Sequence, residues 1–419
     1  MAWSRPAEST FCRMPLDGLR DGVRFMKPMS AWFVSDAAAM AAISLQPIYI
    51  MLAARGLGAD SYAAGCIASA SMLIKLVSGV MGGLVADTRE RQTVMMTSGI
   101  CQTVVWSTYA ALVFLGFANV ILFSIFTLIS SLVWGLLGGA ADAALRGIAH
   151  DEMKYVRAKT ACEGRNSVIG LVCSPVGALF YCVSPAVVPI AQAALFLLSA
   201  VFACKLHQEK GQRLPSKSGV STRVVKNNLR LLHEGFSWVI HQHRILALLM
   251  AASLVNFSFQ IWQYGLQYVQ LDGGQSALGV SVLDMASCAG VLIGAIVAMR
   301  TKSGVSPLRS LCMVIVALAS ASACLILKVA GNVSAAASLA VLSLPMPCTS
   351  ASIQGEVFVK VPDEMQGRAR AVLNVIAQGF CLMAPMAASY LSSRGAEPTI
   401  CLASAIPVVF ALVCVRISA

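Results

Sequence analysis

The stretch ANVILFSIFTLISSLVWGLLGGAADAAL, which runs from residue 118 to residue 145, decides the fold class of this chain. Its only charged side chain is Asp142, close to its end. A helix needs about 20 predominantly apolar residues to cross the hydrocarbon core of a bilayer, and this stretch is longer. A barrel strand alternates in polarity over about ten residues, and no such alternation is present. The stretch is therefore predicted to be a membrane-spanning α-helix.

The composition of the whole chain points the same way. Of its 419 residues, 58% are hydrophobic and 12% are charged, whereas soluble domains carry about 25% charged residues. A chain this poor in charge cannot cover a water-facing surface, and a backbone in lipid satisfies its hydrogen bonds only as helices or closed barrels. An all-α polytopic membrane protein is predicted. The net charge of +12 does not indicate nucleic acid, because the basic residues lie in short segments between apolar runs.

Eleven other apolar stretches resemble the first one, which gives twelve predicted transmembrane helices. Ser184-Pro185 is the only turn predicted between the fifth and the sixth. The predicted spans are 30–54, 61–86, 93–115, 118–145, 164–183, 186–206, 245–270, 276–299, 308–329, 333–358, 369–392 and 397–416.

The distribution of basic residues predicts the orientation of these spans. Cytoplasmic loops carry an excess of Lys and Arg. If the N-terminus is cytoplasmic, all but four of the 31 Lys and Arg residues fall in cytoplasmic segments. Arg55, Lys328 and Arg394 lie in outer loops, and Lys75 lies inside a span. Both termini of a multi-pass protein of the cell (plasma) membrane are therefore expected in the cytoplasm.

The chain divides into two halves of six helices each. An echo between the halves suggests a duplicated unit: Asp151-Glu152-Met153 and Asp363-Glu364-Met365 each follow the fourth helix of a half. Transporter folds are often built from such repeats. The predicted regions are a cytoplasmic N-terminal segment 1–29, an N-terminal six-helix bundle 30–206, a basic cytoplasmic linker 207–244 and a C-terminal six-helix bundle 245–416.

The loop after the second span, residues 82–91, reads GGLVADTRER. It resembles the signature loop of the major facilitator superfamily, with Gly83, Asp87 and Arg91 at matching positions. Thr88 and Glu90 stand where that pattern has an arginine and a glycine. The resemblance implies a secondary transporter of small molecules with two six-helix bundles, alternating access and a monomeric state.

Three other segments resemble the efflux-type branch of that superfamily. They are Pro47-Ile48-Tyr49 in the first span, Gly138-Gly139-Ala140 in the fourth, and Ser174-Pro175 in the fifth, the last being a degraded form of an antiporter motif. The resemblance implies proton-coupled efflux, with membrane lipid, protons and a small-molecule substrate as partners. A nutrient or metabolite importer is the alternative. A polytopic membrane enzyme is a distant one, because it would need a catalytic cluster at one membrane face. No cofactor or metal site is expected.

Candidate gating residues lie at the inner ends of two spans. Asp87 and Arg91 are four apart after the second span, and Asp142 and Arg146 repeat this spacing at the end of the fourth. The family resemblance implies that Gly83, Asp87 and Arg91 form a gate latch. The alternative is a local ion pair that contributes about 0.3–0.5 kcal/mol.

Asp36, Lys75 and Asp284 are the charges most clearly inside predicted spans. Such groups cost several kcal/mol in lipid unless they are paired or hydrated, so they mark functional sites by default. We expect proton coupling or substrate contact at these positions. A static ion pair between Asp36 and Lys75 is the alternative for the first two, and a hydrated carboxylate is the alternative for Asp284.

The seventh span carries a stripe of amide side chains at a spacing of 4, 3, 4 and 3, which places them on one helical face. An amide stripe that faced lipid would be costly. We expect it to contact substrate, with Tyr264 beside it; hydrogen bonding between helices is the alternative. The stripe consists of Asn256, Gln260, Gln263, Gln267 and Gln270.

Small-residue ridges are predicted to let helices approach closely. They are Gly79 and Gly83, Gly135 and Gly139, and Gly290 and Gly294.

The predicted topology can be tested by cysteine labelling in a background that lacks reactive native thiols. A cysteine at Gln212 should react only from the cytoplasmic side, and one at Asp60 only from outside, because these positions lie in loops of opposite predicted location. Impermeant thiol reagents applied to intact cells and to inverted vesicles measure this. Reaction of position 212 from outside would overturn the orientation or the number of spans.

Overall fold

The computed structural model describes residues 16–141, 144–145, 152–206, 237, 239–300, 305–326, 332–360, 375–376, 378–393 and 396–417. The regular secondary structure in these residues is helical, with no strand. A helix occupies each of the twelve predicted positions. In chain order the helices are Leu16–Ser44 with Gln46–Gly56, Ser61–Thr88, Arg91–Phe114, Val120–Leu137, Glu152–Val183, Val187–Cys204, His243–Asp272, Ala277–Arg300, Pro307–Ile326, Asn332–Ser343 with Met346–Lys360, Phe380–Ser393, and Ala396–Ile417. We number them spans 1 to 12.

Ten of these helices are long and apolar enough to cross a membrane. The other two are span 3, Arg91–Phe114, and the described part of span 11, Phe380–Ser393. Span 3 is less apolar because it carries more polar side chains, and some of these point into the protein. Gln102 is fully buried; its amide nitrogen donates to the Ser130 carbonyl and its amide oxygen accepts from the Ser130 hydroxyl, both at 2.8 Å. The predicted twelve-helix fold is confirmed.

Two spans are interrupted near prolines. Span 1 breaks at Leu45, just before Pro47, and span 10 breaks between Ser343 and Met346, on either side of Pro345. Proline supplies no backbone donor and clashes with the preceding turn, so the helical hydrogen-bond ladder restarts after each break.

Each half of the chain buries its own apolar cluster. Trp262 belongs to the cluster of the second half, and Trp106 to that of the first. Tyr268, Leu271 and Val280 come from the second half but pack into the cluster of the first half. The two halves therefore meet where these residues lie, at the ends of spans 7 and 8 that are predicted to face outward. We call this the outer end, following the predicted orientation, and the opposite end the inner end.

Polar contacts at the inner end tie helices together within each half. In the second half Arg244 donates to Glu356 at 2.9 Å and to the Val415 carbonyl at 3.0 Å, which connects spans 7, 10 and 12. In the first half the Trp32 indole donates to the Ala141 carbonyl at 3.0 Å. These contacts hold the inner ends of spans together without crossing between the halves.

Close helix approach recurs at equivalent places in the two halves. A Cβ added at Gly135 of span 4 would lie 2.7 Å from the Lys75 carbonyl oxygen of span 2. A Cβ added at Gly290 or Gly294 of span 8 would overlap backbone carbonyl groups of span 10. Spans 2 and 4 and spans 8 and 10 are thus packed backbone to backbone, as a duplicated unit predicts. The expected approach at Gly139 is wrong, since nothing lies within 4 Å of a Cβ added there.

Gly294→Ala should lower the thermal unfolding temperature of the purified protein. The added methyl would overlap the Leu344 carbonyl, and overpacking of this kind costs about 1–3 kcal/mol. Gly355→Ala is the matched control, because it also adds a methyl to a helix but meets nothing within 4 Å. Equal unfolding temperatures for the two variants would contradict the close approach of spans 8 and 10.

Candidate functional site

Asp284 lies where the two halves meet, about 10 Å from the outer end of span 8 at 1.5 Å per residue. One carboxylate oxygen accepts hydrogen bonds from the amides of Gln263, at 2.7 Å, and Gln267, at 2.5 Å, both on span 7. The other oxygen accepts from the hydroxyl of Ser174 on span 5, at 2.5 Å. Since span 5 belongs to the first half, this carboxylate is hydrogen-bonded to both halves of the chain.

Two of the five amides in the span 7 stripe donate hydrogen bonds to this carboxylate. Gln267 is 3% exposed and Gln263 is half-buried, and both bond Asp284. The side-chain oxygen of Gln260 is buried and accepts no hydrogen bond within the described part of the chain. Asn256 and Gln270 are half-buried. Two amides thus make the inter-helix bonds of the alternative interpretation, and contact with substrate stays a prediction.

Aromatic residues flank the stripe in two different ways. Tyr264 stacks on Tyr268, with ring centroids 6.5 Å apart and an interplanar angle of 26°. Tyr264 is half-buried and Tyr268 is fully buried. Trp262 is also fully buried, and its indole donates to the Ser338 hydroxyl at 3.3 Å. Tyr264 remains the aromatic candidate for substrate contact, whereas Trp262 packs inside the second half.

Asp36 forms an ion pair with Arg165 of span 5. The two side chains are 13% and 10% exposed, and Arg165 also donates to the Phe33 carbonyl at 3.1 Å and lies over the Phe33 ring. The sequence placed Arg165 in a cytoplasmic segment. Span 5 instead begins at Glu152, which carries this arginine to the depth of Asp36.

The alternative of a static ion pair between Asp36 and Lys75 is therefore wrong. The Lys75 ammonium lies 6.0 Å from the centroid of the Trp134 ring on span 4. Counted from the outer ends of their helices, Asp36 is about 30 Å deep and Lys75 about 21 Å deep.

The signature loop can be compared only in part with the family pattern. Asp87 lies in the last turn of span 2, and Arg91 is the first residue of span 3. The surroundings of Gly83 and the side chain of Asp87 lie outside what the structure describes, as do Asp142 and Arg146 altogether. The role of these residues in a gate stays a prediction.

A second polar contact joins the halves at the outer end. Arg55 at the end of span 1 forms an ion pair with Asp272 at the end of span 7, and the Ser61 hydroxyl donates to the same carboxylate at 2.7 Å. Sequence reasoning missed Asp272, because charges in outer loops were used only to count topology. The signal available in the sequence was the opposite charge of Arg55 and Asp272, which stand at the outer ends of the first helix of each half.

Spans 2 and 11 are in contact beside this ion pair, along the boundary between the two halves, which we call the seam. The rings of Tyr62 and Tyr390 meet edge to face, with centroids 6.5 Å apart. A Cβ added at Gly65 would lie 2.7 Å from the Pro385 carbonyl oxygen, so the two helices are in backbone contact. The contacts between halves in the described residues are thus concentrated at the outer end and around Asp284.

The described residues show no group of three or more His, Cys, Asp or Glu side chains that could hold a metal ion. The site instead consists of a carboxylate shared by two helical halves inside the membrane, with amides and a tyrosine beside it.

The family model of the Major Facilitator Superfamily matches residues 31–385, so the chain belongs to this superfamily. It is a transporter of small molecules, not an enzyme. A search of curated protein sequences found no match.

Solved structures with the same fold share little sequence with this chain. A bacterial homologue of the iron transporter ferroportin, in an inward-facing state, has a TM-score of 0.69 and 12% identity, covering 94% of this chain and 98% of its own. The nucleoside transporter NupG has a TM-score of 0.63 and 13% identity, covering 93% and 98%. A structure of a proton-dependent oligopeptide transporter has a TM-score of 0.67 and 13% identity, covering 94% and 97%. At these identities the similarity shows the fold alone.

Charge reversal tests whether the outer ion pair holds the halves together. Arg55→Asp or Asp272→Arg alone should open the outer end, and the double variant should restore closure. An exposed pair is worth about 0–1 kcal/mol, so the open population should rise by up to about fivefold. The measurement is mass spectrometry of Cys66 after labelling with an impermeant thiol reagent from outside, since Cys66 is half-buried on span 2.

Cys182 provides the internal reference, because it is already exposed near the outer end of span 5. Labelling of Cys66 that is the same in both single variants as in the unaltered protein would show that the pair does not control opening.

Proposed function

We propose that this chain is a proton-coupled secondary transporter in the plasma membrane, with cytoplasmic termini, and that Asp284 carries the coupling proton. One observation carries the proposal: the Asp284 carboxylate accepts hydrogen bonds from both halves of the protein. Alternating access moves one half against the other around a central site. A titratable group bonded across the moving interface links the proton to that movement.

The physical link is the strength of these hydrogen bonds. A bond to an ionised carboxylate is roughly twice as strong as one between neutral groups. Protonation of Asp284 removes the charge and weakens the bonds from Ser174, Gln263 and Gln267. The bond from Ser174 is the one that crosses between halves. Protonation therefore lowers the free-energy cost of separating spans 5 and 8, and the proton biases the conformational equilibrium as any ligand with differential affinity does.

Asp36 is the other carboxylate that the sequence offered for coupling. Its charge is balanced locally by Arg165, and the two residues lie in the same half. Rocking of one half against the other leaves this pair intact. We therefore assign Asp36 a structural role within the first half, and assign the coupling to Asp284.

The surroundings of Asp284 favour a small organic substrate. Gln260 offers an unused amide oxygen, and Tyr264 offers an aromatic face. Structures with the same fold include a nucleoside transporter and a proton-dependent oligopeptide transporter, which supports a polar organic molecule and a proton as the transported pair. Asn256, Gln263 and Gln267 complete the proposed amide face. The carrier is proposed to act as a monomer.

Efflux is the proposed direction. It is supported by the resemblance of Ser174-Pro175 and of the Gly138-Gly139 segment to efflux-type sequences. Import of a nutrient or metabolite is the alternative, and it uses the same proton site with the opposite direction of substrate movement. Uptake of a compound panel into inside-out vesicles, with and without an imposed proton gradient, distinguishes them: an antiporter accumulates substrate when the vesicle lumen is acidic.

Asp284→Asn should abolish accumulation driven by the proton gradient and leave exchange of substrate between the two sides. The asparagine resembles a permanently neutral Asp284, so no proton is carried. Asp60→Asn is the control, because the Asp60 side chain caps the start of span 2 by accepting from the Ala63 N–H, and asparagine caps a helix as well as aspartate does. Transport of one compound from the panel, measured across a range of pH, tests this.

Unchanged pH dependence in Asp284→Asn would show that another group carries the proton. Asp36→Asn separates the two carboxylates. It leaves Arg165 charged and without this carboxylate in a largely buried place, so it should mainly lower the unfolding temperature, with the pH dependence retained in the folded fraction.

A further inference from the structure

Lys75 lies in the middle of span 2, fourteen residues from Ser61 and thirteen from Thr88. That places its Cα about 21 Å from the outer end of the helix. A charged side chain at this depth is costly in lipid unless it is paired or in contact with water. The Lys75 side chain is nevertheless exposed, so the direction it faces decides what it does.

The lipid-facing side of span 2 is marked by Leu73, Val77 and Met81, which are 50%, 59% and 59% exposed. At 100° per residue these three lie within one stripe, and Lys75 lies about 160° from its centre. The ammonium therefore points away from lipid.

The neighbours of span 2 define the space that Lys75 faces. Gly82 packs against span 4 of the first half, and Gly65 packs against span 11 of the second half. Around the helix Lys75 lies on the arc between these two glycines, about 20° from the first and about 80° from the second. An exposed side chain on this arc projects into the space between the halves, where substrate is proposed to bind.

Within the described residues no carboxylate is in ion-pair distance of Lys75. Asp36 is paired with Arg165, and Asp284 lies about 10 Å nearer the outer end. The contact that the structure shows is the ring of Trp134, at 6.0 Å. This ammonium is therefore available to an anion that enters the space between the halves.

We propose that Lys75 and Trp134 form the subsite for the anionic group of the substrate, and that the substrate is a small organic carboxylate with an aromatic or apolar body. This inference rests on the proposed transport function, because it names the substrate class of the same cavity. The carboxylate group pairs with the Lys75 ammonium, and the body lies against the Trp134 ring. By the same rise Gln260 of span 7 lies about 18 Å from the outer end, close to the depth of Lys75, and is placed to meet the rest of the molecule.

Two matched series of probes keep the aromatic ring and replace an anionic group by a neutral or a cationic one: benzoate, benzamide and benzylamine, and indole-3-acetate, indole-3-acetamide and tryptamine. Binding to the purified full-length protein is measured as stabilisation against thermal unfolding. At least one carboxylate should bind the unaltered protein more tightly than its amide and amine. Lys75→Gln should weaken that binding about tenfold or more, Lys75→Arg should retain it, and the amides should change little.

Lys205→Gln is the matched control. The Lys205 ammonium also lies near an aromatic ring, that of Phe202 at 4.9 Å, but at the inner end of span 6. This variant loses the same charge outside the cavity and should bind the carboxylates normally. Equal weakening by Lys205→Gln would mean that net charge, rather than the subsite, governs binding. Binding of neither carboxylate to the unaltered protein, or equal effects of Lys75→Gln on all members of a series, would overturn the proposal.

The test of proton coupling at Asp284 measures gradient-driven transport, whereas the test of the subsite measures binding. A carboxylate that binds through Lys75 in a protein without gradient-driven transport supports the subsite and contradicts the coupling. Gradient-driven transport of the carboxylates that is unchanged in Lys75→Gln supports the coupling and contradicts the subsite. If Lys75→Gln does not fold, the Lys75→Arg and Lys75→Met variants provide the same comparison of charge at this position.

Discussion

The hydrocarbon of a bilayer offers no hydrogen-bond partner, and the arrangement of this protein depends on that constraint. Backbone groups must be satisfied inside the protein, which makes the spans helical and confines breaks to places such as Leu45 and Pro345. Every charged side chain must find a partner, water or a ligand inside the protein. Gln102 and Ser130 satisfy one another for the same reason. Few charged side chains therefore lie inside the spans, and those in the described residues have identifiable neighbours.

The number and positions of the helices were predictable because the relevant signal is local. Apolar length and the alternation of basic loops determine where a chain crosses the membrane, and neither needs knowledge of which helices touch. Depth was also readable, at a fixed rise per residue. The direction that a side chain faces across the bundle was not, since it depends on which helix packs beside it. Asp36 was thus given the wrong partner, and Arg165 was overlooked in a helix that begins earlier than its apolar part.

For the stripe of amides, too, the shared helical face was predictable from the sequence, whereas the bonding partner was not. Its spacing predicted correctly that Gln263 and Gln267 share a face, and that lipid is not their environment. The acceptor they bond, Asp284 on span 8, was identified as functional but not as their partner. Ser174 was noticed only as a departure from a motif, yet its hydroxyl reaches the same carboxylate from the other half. A pattern along one helix cannot specify a contact between two halves.

The charges inside the protein differ in whether they can respond to movement of the halves. Arg165 with Asp36, and Arg244 with Glu356, are pairs within one half, so their energies hardly change when the halves rock. The bonds between Ser174 and Asp284, and between Arg55 and Asp272, cross the seam and must break or lengthen when it opens. Lys75 faces the space between the halves with an aromatic ring as its neighbour. The proposed proton site, Asp284, and the proposed anion site, Lys75, lie on opposite halves, so a ligand that binds at either one has a route to bias the movement of one half against the other.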